Sequence, residues 1–327
     1  MQYRSFCVDE KPYCVWNYHD SNESFLRGID TQYFLYLAST HSAHLDGEHQ
    51  ERAVLALSNA YYHGLETFFM LVYAALQAPR CVSGWLLKCW PEQLRDLVDK
   101  SLAGQLPKAC RWKMTDGSWE QISNLVHDRL LQETPEDAEL KILFAELWRR
   151  FARDYRQSFR EAEYNSFKHG FRMRLGDGGT ISWDNKPNAG EAIETRPAKT
   201  TLSSGFGSIF CTAKPLEGAN NPDLKHHFSL SHCQANIDIK QLSKNLVLLG
   251  VSIHNVVAFL KRVNEFPQEE ITVARPDQRE AFSCSESKPG SLLFMEATEG
   301  IREAEIEPFT KEQILERLGV TSANSAK

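Results

Sequence analysis

The stretch EHQERAVLALSNAYYHGLETFFMLVYAALQA, residues 48–78, decides the fold. Within it Val54, Leu57, Tyr61, Leu65, Phe68, Val72 and Leu76 recur at intervals of 3, 4, 4, 3, 4 and 4, which places them on one face of an α-helix. Pro79 has no amide hydrogen to donate and stops the helix. An apolar stripe this long must be buried against other helices, so the spacing predicts a helical bundle.

Further helices are predicted over residues 91–102 and 119–131, the first with Pro91 suited to its opening turn. Another begins at Thr134, a capping residue, with Pro135 at the first helical position and Glu136 and Asp137 at the positive end of the helix dipole. Leu140, Phe144, Leu147, Phe151, Tyr155, Phe159 and Ala162 carry its stripe on towards Gly170, a plausible stop. Residues 1–47 read as an irregular, aromatic-rich lead-in with room for one short strand.

The texture changes after residue 171. Residues 171–175 and 180–183 flank Gly176-Asp177-Gly178-Gly179 and read as a hairpin. Residues 185–199 read as a loop, and 208–214, 228–237 and 292–295 as strands. Asp238 opens a long helix to about residue 264, with Gln241 placed for a capping box. A short helix is expected over 311–318. The expected class is α+β, mainly α: an antiparallel bundle over 48–172, then a strand-and-helix elaboration over 173–319, with a disordered tail over 320–327.

The chain has 327 residues, 42% of them hydrophobic and 24% charged, as in a protein with a large core. Its net charge of -6 argues against coating by nucleic acid or anionic membrane over the whole surface. The longest apolar run, residues 68–76, is too short to span a bilayer. The N-terminus lacks the apolar segment of a secretory signal, so the expected location is the cytoplasm, with no membrane partner. The eight cysteines form no Cys-x-x-Cys pair, which argues against a zinc site. No cofactor is expected.

The stretch Tyr164-Asn165-Ser166-Phe167-Lys168-His169-Gly170 holds the candidate chemistry. Asn165 and His169 are one helical turn apart and share a face, as do Tyr164 and Lys168. Arg172 follows three residues after His169. Between residues 149 and 174 eight Lys and Arg stand against three acids, a local charge of +5. Such a stripe can track a phosphate backbone, and it is also the common pattern of a solvated helix face.

With the helix before it and the Tyr61-Tyr62-His63-Gly64-Leu65-Glu66 helix, this stretch resembles the HEPN superfamily, helical-bundle proteins that include metal-independent ribonucleases of toxin and phage-defence systems. The resemblance covers residues 48–172. Asn165 matches the motif's polar position, His169 its histidine and Gly170 the trailing glycine, while Tyr164 stands where the family has arginine. It implies a homodimer acting on RNA, with an antitoxin or defence-system protein as a further partner. His169 would be the base and Asn165 its support. Lys168 or Arg172 would replace the missing arginine, with Tyr164 beside them, and Arg156 and Arg160 would add phosphate contacts. Glu66 interrupts an apolar helix and is expected to orient His169 or a nearby cation. Two readings fit: a metal-independent endoribonuclease, and an inactive interaction or sensing module, which Tyr164 favours.

Two other clusters carry potential metal ligands. His41, His44, Asp46, Glu48 and His49 are residue types that bind zinc or iron and offer a third reading, a metal-dependent hydrolase, but they match no ligand spacing. His226 and His232 would lie on the opposite face of a strand from His227 and Cys233.

Overall fold

The computed structural model describes residues 3–16, 18–170, 172–177, 206–215, 227–276, 282 and 293–302. It is an α+β fold, mainly α. The chain divides into two compact units, one of residues 1–210 and 234–293, the other of 211–233 and 294–327.

The first unit is built on α3 (Gln50–Gln77), whose apolar stripe is buried throughout. Long helix α9 (Ile239–Val263) packs against it, with α2 (Tyr33–Ser42) against both. Helix α7 (Pro135–Tyr155) closes on α3 through Trp148 and Phe151, whose rings lie 5.3 and 6.1 Å from that of Phe68. Trp148 Nε1 donates to Ser252 Oγ of α9 at 3.0 Å, so the buried indole keeps its hydrogen bond. Around these lie α1 (Tyr18–Gly28), α4 (Val82–Lys88), α5 (Pro91–Leu102), α6 (Trp119–His127) and α8 (Ser158–Lys168). Each large aliphatic or aromatic side chain buried here contributes about 1.5–3 kcal/mol.

The core is not confined to residues 48–172, since α9 is one of its central elements. Helix α9 is also the one described helix long and apolar enough to cross a membrane. Its burial accounts for that composition: 72% of its most apolar window lies inside the fold. Asp238 caps it by accepting from Gln241 N at 3.0 Å, while Gln241 Nε2 donates onward to Asn245 Oδ1 at 2.6 Å.

Two glycines set how closely the central helices approach. A Cβ on Gly64 would lie 2.7 Å from Leu249 Cδ2, and one on Gly250 would lie 2.9 Å from both Leu35 Cγ and Cδ2. Gly250→Ala gains helix propensity but overpacks the Leu35 side chain, so a net loss of about 1–2 kcal/mol is expected in urea unfolding. An unchanged or raised midpoint would show that Leu35 yields freely.

The described residues 3–16 and 18–42 are mostly strand and helix, more than the one short strand expected in this lead-in. Strands β1 (Tyr3–Val8) and β2 (Lys11–Trp16) form an antiparallel hairpin with Val8 opposite Lys11, and α1 and α2 follow. The predicted continuous helix from Thr134 is broken as well. Asp154 accepts from Tyr61 OH at 2.6 Å and from Gln157 Nε2 at 3.5 Å, and the chain turns between α7 and α8 at Arg156 and Gln157. No proline or glycine marks this turn.

Strand β3 (Met173–Asp177) pairs antiparallel with the start of β4 (Phe206–Pro215), Met173 opposite Phe210. Residues 180–183, the predicted hairpin partner, lie outside the described residues, as do 185–199 and 311–318. In the second unit the continuation of β4 neighbours the first part of β5 (His227–Asn236), which neighbours β6 (Leu293–Arg302).

Candidate functional site

Helix α8 stops because Gly170 adopts φ +110, a backbone conformation open to glycine. Arg172 N then folds back to Ser166 O at 2.8 Å. This turn sets out the end of the candidate motif. Lys168, His169 and Arg172 are all exposed. Among the described residues their side chains make no hydrogen bond or ion pair; Lys168 Nζ lies 5.8 Å from the centre of the Tyr164 ring. Asn165 is half-buried one turn before His169, and its carbonyl accepts from His169 N at 3.0 Å. The structure therefore brings Lys168, His169 and Arg172 to one open helix end, with Asn165 leading into it.

Tyr164 packs towards α3. Its ring stacks on Tyr62 of α3, centroids 4.5 Å apart and planes 26° from parallel. Burial raises its phenol pKa, and the nearby Glu66 charge adds to that. Glu66 is half-buried, and its charge also bears on Tyr62 and Tyr155. It therefore sits beside these phenols. The expected contact from Glu66 to His169 or to a cation is not present among the described residues.

The two arginines expected to add phosphate contacts are engaged by carboxylates. Arg156 Nε meets Asp99 Oδ1 at 2.6 Å. Arg160 meets Glu163 Oε2 at 3.2 Å, and Glu163, only 5% exposed, also accepts from Ser208 Oγ at 2.5 Å. Exposed Arg149 and Arg153 on α7 and Arg174 on β3 have no ion pair among the described residues.

Sequence reasoning missed a mainly apolar pocket bordered by Tyr164, with a few polar groups in its wall. Tyr61, Asp154, Arg160 and Glu163 border a space of about 410 Å³ including its open mouth. Its enclosed part admits little more than a water, too little for a nucleotide. Burial raises the pKa of both Asp154 and Tyr61, each partner of their hydrogen bond. The signal for Asp154 was available: an acid between the buried stripe residues Phe151 and Tyr155 needs a partner.

No group of three potential metal ligands comes together among the described residues. In the cluster at residues 41–49, the His44 and His49 rings stand 6.2 Å apart, edge to face. In the second cluster, His226 lies outside the described residues, and Cys233 is buried with its sulfur 3.8 Å from Thr212 Oγ1.

Comparison of the chain with protein-family models, curated proteins and solved structures found no match.

Proposed function

We propose that the chain is a HEPN-like endoribonuclease whose working surface is the C-terminal end of α8. The observation that carries this reading is the open imidazole of His169, unengaged among the described residues and flanked in the chain by the exposed cations Lys168 and Arg172. A neutral imidazole can take the proton of a ribose 2′-hydroxyl near pH 7. The 2′-oxygen then attacks the adjacent phosphorus, the bond to the 5′-oxygen breaks, and that oxygen takes a proton from water as it leaves, while the imidazolium returns its proton to solvent. The charge gathering on the phosphoryl oxygens is met by Lys168 and Arg172.

His169 is not enclosed in a pocket, which suits a cleft completed by a second copy of the chain. The same resemblance extends the reading to a cytoplasmic toxin or phage-defence setting with an antitoxin or defence-system partner. A second reading, an inactive interaction or sensing module, is favoured by the Tyr164–Tyr62 stack, which gives the family's arginine position a packing role.

Two measurements separate the readings. In EDTA, wild type is expected to cut mixed RNA, and His169→Ala to lose at least about 100-fold in rate. Equal cutting by both proteins removes His169 from the mechanism. Lys168→Ala with Arg172→Ala is expected to weaken RNA binding and to lower the salt slope by about 2. RNA binding without cutting supports the inactive module.

A further inference from the structure

Beyond the end of α9, residues 271–275 (Ile-Thr-Val-Ala-Arg) cross back over that helix as neither helix nor strand. Side chains hold their backbone. Asn255 of α9, 0% exposed, donates through Nδ2 to Ala274 O at 3.0 Å and accepts at Oδ1 from Ala274 N at 2.9 Å. His254 Nε2 lies 3.0 Å from both Thr272 O and Thr272 Oγ1, so Nε2 carries the proton and Nδ1 accepts from Thr31 Oγ1 at 2.9 Å. Ile271 is buried, and Ala274 packs against the core.

Arg275 then reaches the first turn of α7, where its guanidinium lies 2.8 Å from Asp137 Oδ1. The Asp137 side chain is 2% exposed and that of Arg275 is 53% exposed, so the acid is built into the fold and the cation comes to it from outside. Asp137 Oδ2 accepts from Gln132 N at 2.9 Å, whereas Oδ1 receives no aligned hydrogen bond among the described residues. A carboxylate buried in this way needs a cation. Sites for extended peptides take affinity from main-chain hydrogen bonds and choice from side-chain pockets. Asn255 and His254 supply the first, and Asp137 supplies the second.

We propose that α9 and the first turn of α7 form a binding site for an extended peptide with a small residue followed by arginine. Residues 271–275 fill the site as an internal ligand, and a matching segment of a partner protein takes their place. Tethering favours the internal occupant, which is present at an effective concentration on the order of 1 mM. The site is independent of the His169 chemistry. Asp137 and Tyr155, at the two ends of α7, are 18 residues apart, about 27 Å along the helix axis, and α8 follows Tyr155.

Fluorescence anisotropy of the full chain with a labelled Ile-Thr-Val-Ala-Arg-Pro peptide tests this. The double variant Ala274→Pro, Arg275→Ala removes the amide read by Asn255 and the cation at Asp137, which vacates the site. It is expected to bind the peptide at least about tenfold more tightly than wild type, whose own segment competes. Replacing the peptide's arginine by alanine should weaken that binding about tenfold. A second measurement uses wild type alone, so misfolding of the variant cannot decide the outcome. Unlabelled peptide at about 5 mM, above the effective concentration of the tethered segment, is expected to speed hydrogen exchange at the Ala274 amide several-fold and to leave α9 unchanged. Exchange at Ala274 unaffected by peptide overturns the proposal. So does a folded variant that binds no peptide or binds the alanine peptide equally well. Concentration-dependent dimerisation of wild type that the double variant loses would overturn a partner protein as the occupant in favour of a second copy of the chain.

Discussion

Replacing Gln77 by alanine is expected to lower unfolding free energy by about 4 kcal/mol, a large share of the 5–15 kcal/mol typical of a folded domain. Gln77 is 0% exposed, at the end of α3, with every hydrogen-bonding position of its amide used. Its Oε1 accepts from Asp9 N at 3.0 Å and from Trp85 Nε1 at 3.1 Å; its Nε2 donates to Asp9 O at 3.1 Å and Lys108 O at 2.5 Å. Asp9 forms the tip of the β1–β2 hairpin at φ +52, and Lys100 pairs with its carboxylate at 2.6 Å. One amide therefore ties the hairpin, α4 and the segment after α5 to the main helix. Truncation orphans four polar groups and opens a cavity at once. Gln77→Leu fills most of the volume and isolates the polar part of the loss. Denaturant unfolding of either variant within about 1 kcal/mol of wild type would show that water replaces the amide.

Acid is expected to destabilise the fold well above the ordinary carboxylate range, through His127. This ring is fully buried between Phe144 and Trp148, with centroids 4.6 and 5.3 Å away. Nδ1 lies 2.9 Å from Ser123 O and must donate to it, so the neutral tautomer leaves Nε2 bare. Among the described residues Nε2 has no hydrogen-bond partner, and it is buried. Burial pushes the His127 pKa down to about 4; the Ser123 bond opposes this, and the Lys141 charge reinforces it. In the unfolded chain the same ring titrates near 6.5. Below that pH the unfolded state binds a proton that the folded state refuses, so stability falls as pH drops from about 6.5 to about 4. The loss from this group reaches about 3 kcal/mol. His127→Phe keeps the aromatic packing and removes the titration. Its stability should fall less steeply than that of wild type over this window, and parallel slopes would remove His127 as the cause.

Elements with local signals were legible in the sequence. The α3 stripe and its stop at Pro79 predicted a helix that the structure places at Gln50–Gln77, and Pro91 located the start of α5. Helix α2 was missed because Tyr33–Ser42 has no clear polar face, lying as it does against both α3 and α9. The break between α7 and α8 was missed for another reason. It is held by Tyr61, which is distant in sequence from its partner Asp154. The β3–β4 pairing spans a long intervening segment, and no local pattern specifies such a partner.

The same division runs through the candidate site. Helical spacing correctly placed Asn165 one turn before His169 and Lys168 beside the Tyr164 ring. It could not show that Tyr164 stacks on Tyr62, or that Arg156 meets Asp99 on α5. The Arg160–Glu163 pair, three residues apart, was within reach of the same spacing argument. The outward turn of His169 follows from Gly170 and the Arg172–Ser166 hydrogen bond, which needed coordinates.

The central claim concerns one imidazole and one ribose hydroxyl, and a synthetic RNA with a single 2′-deoxy nucleotide tests both. After mapping the cut positions of wild-type protein in EDTA, the deoxy sugar is placed on the 5′ side of one of them. The account predicts that this cut alone disappears, that the others leave 2′,3′-cyclic phosphate ends, and that His169→Ala makes none of them. Undiminished cleavage next to the deoxy sugar, or by His169→Ala, would contradict it.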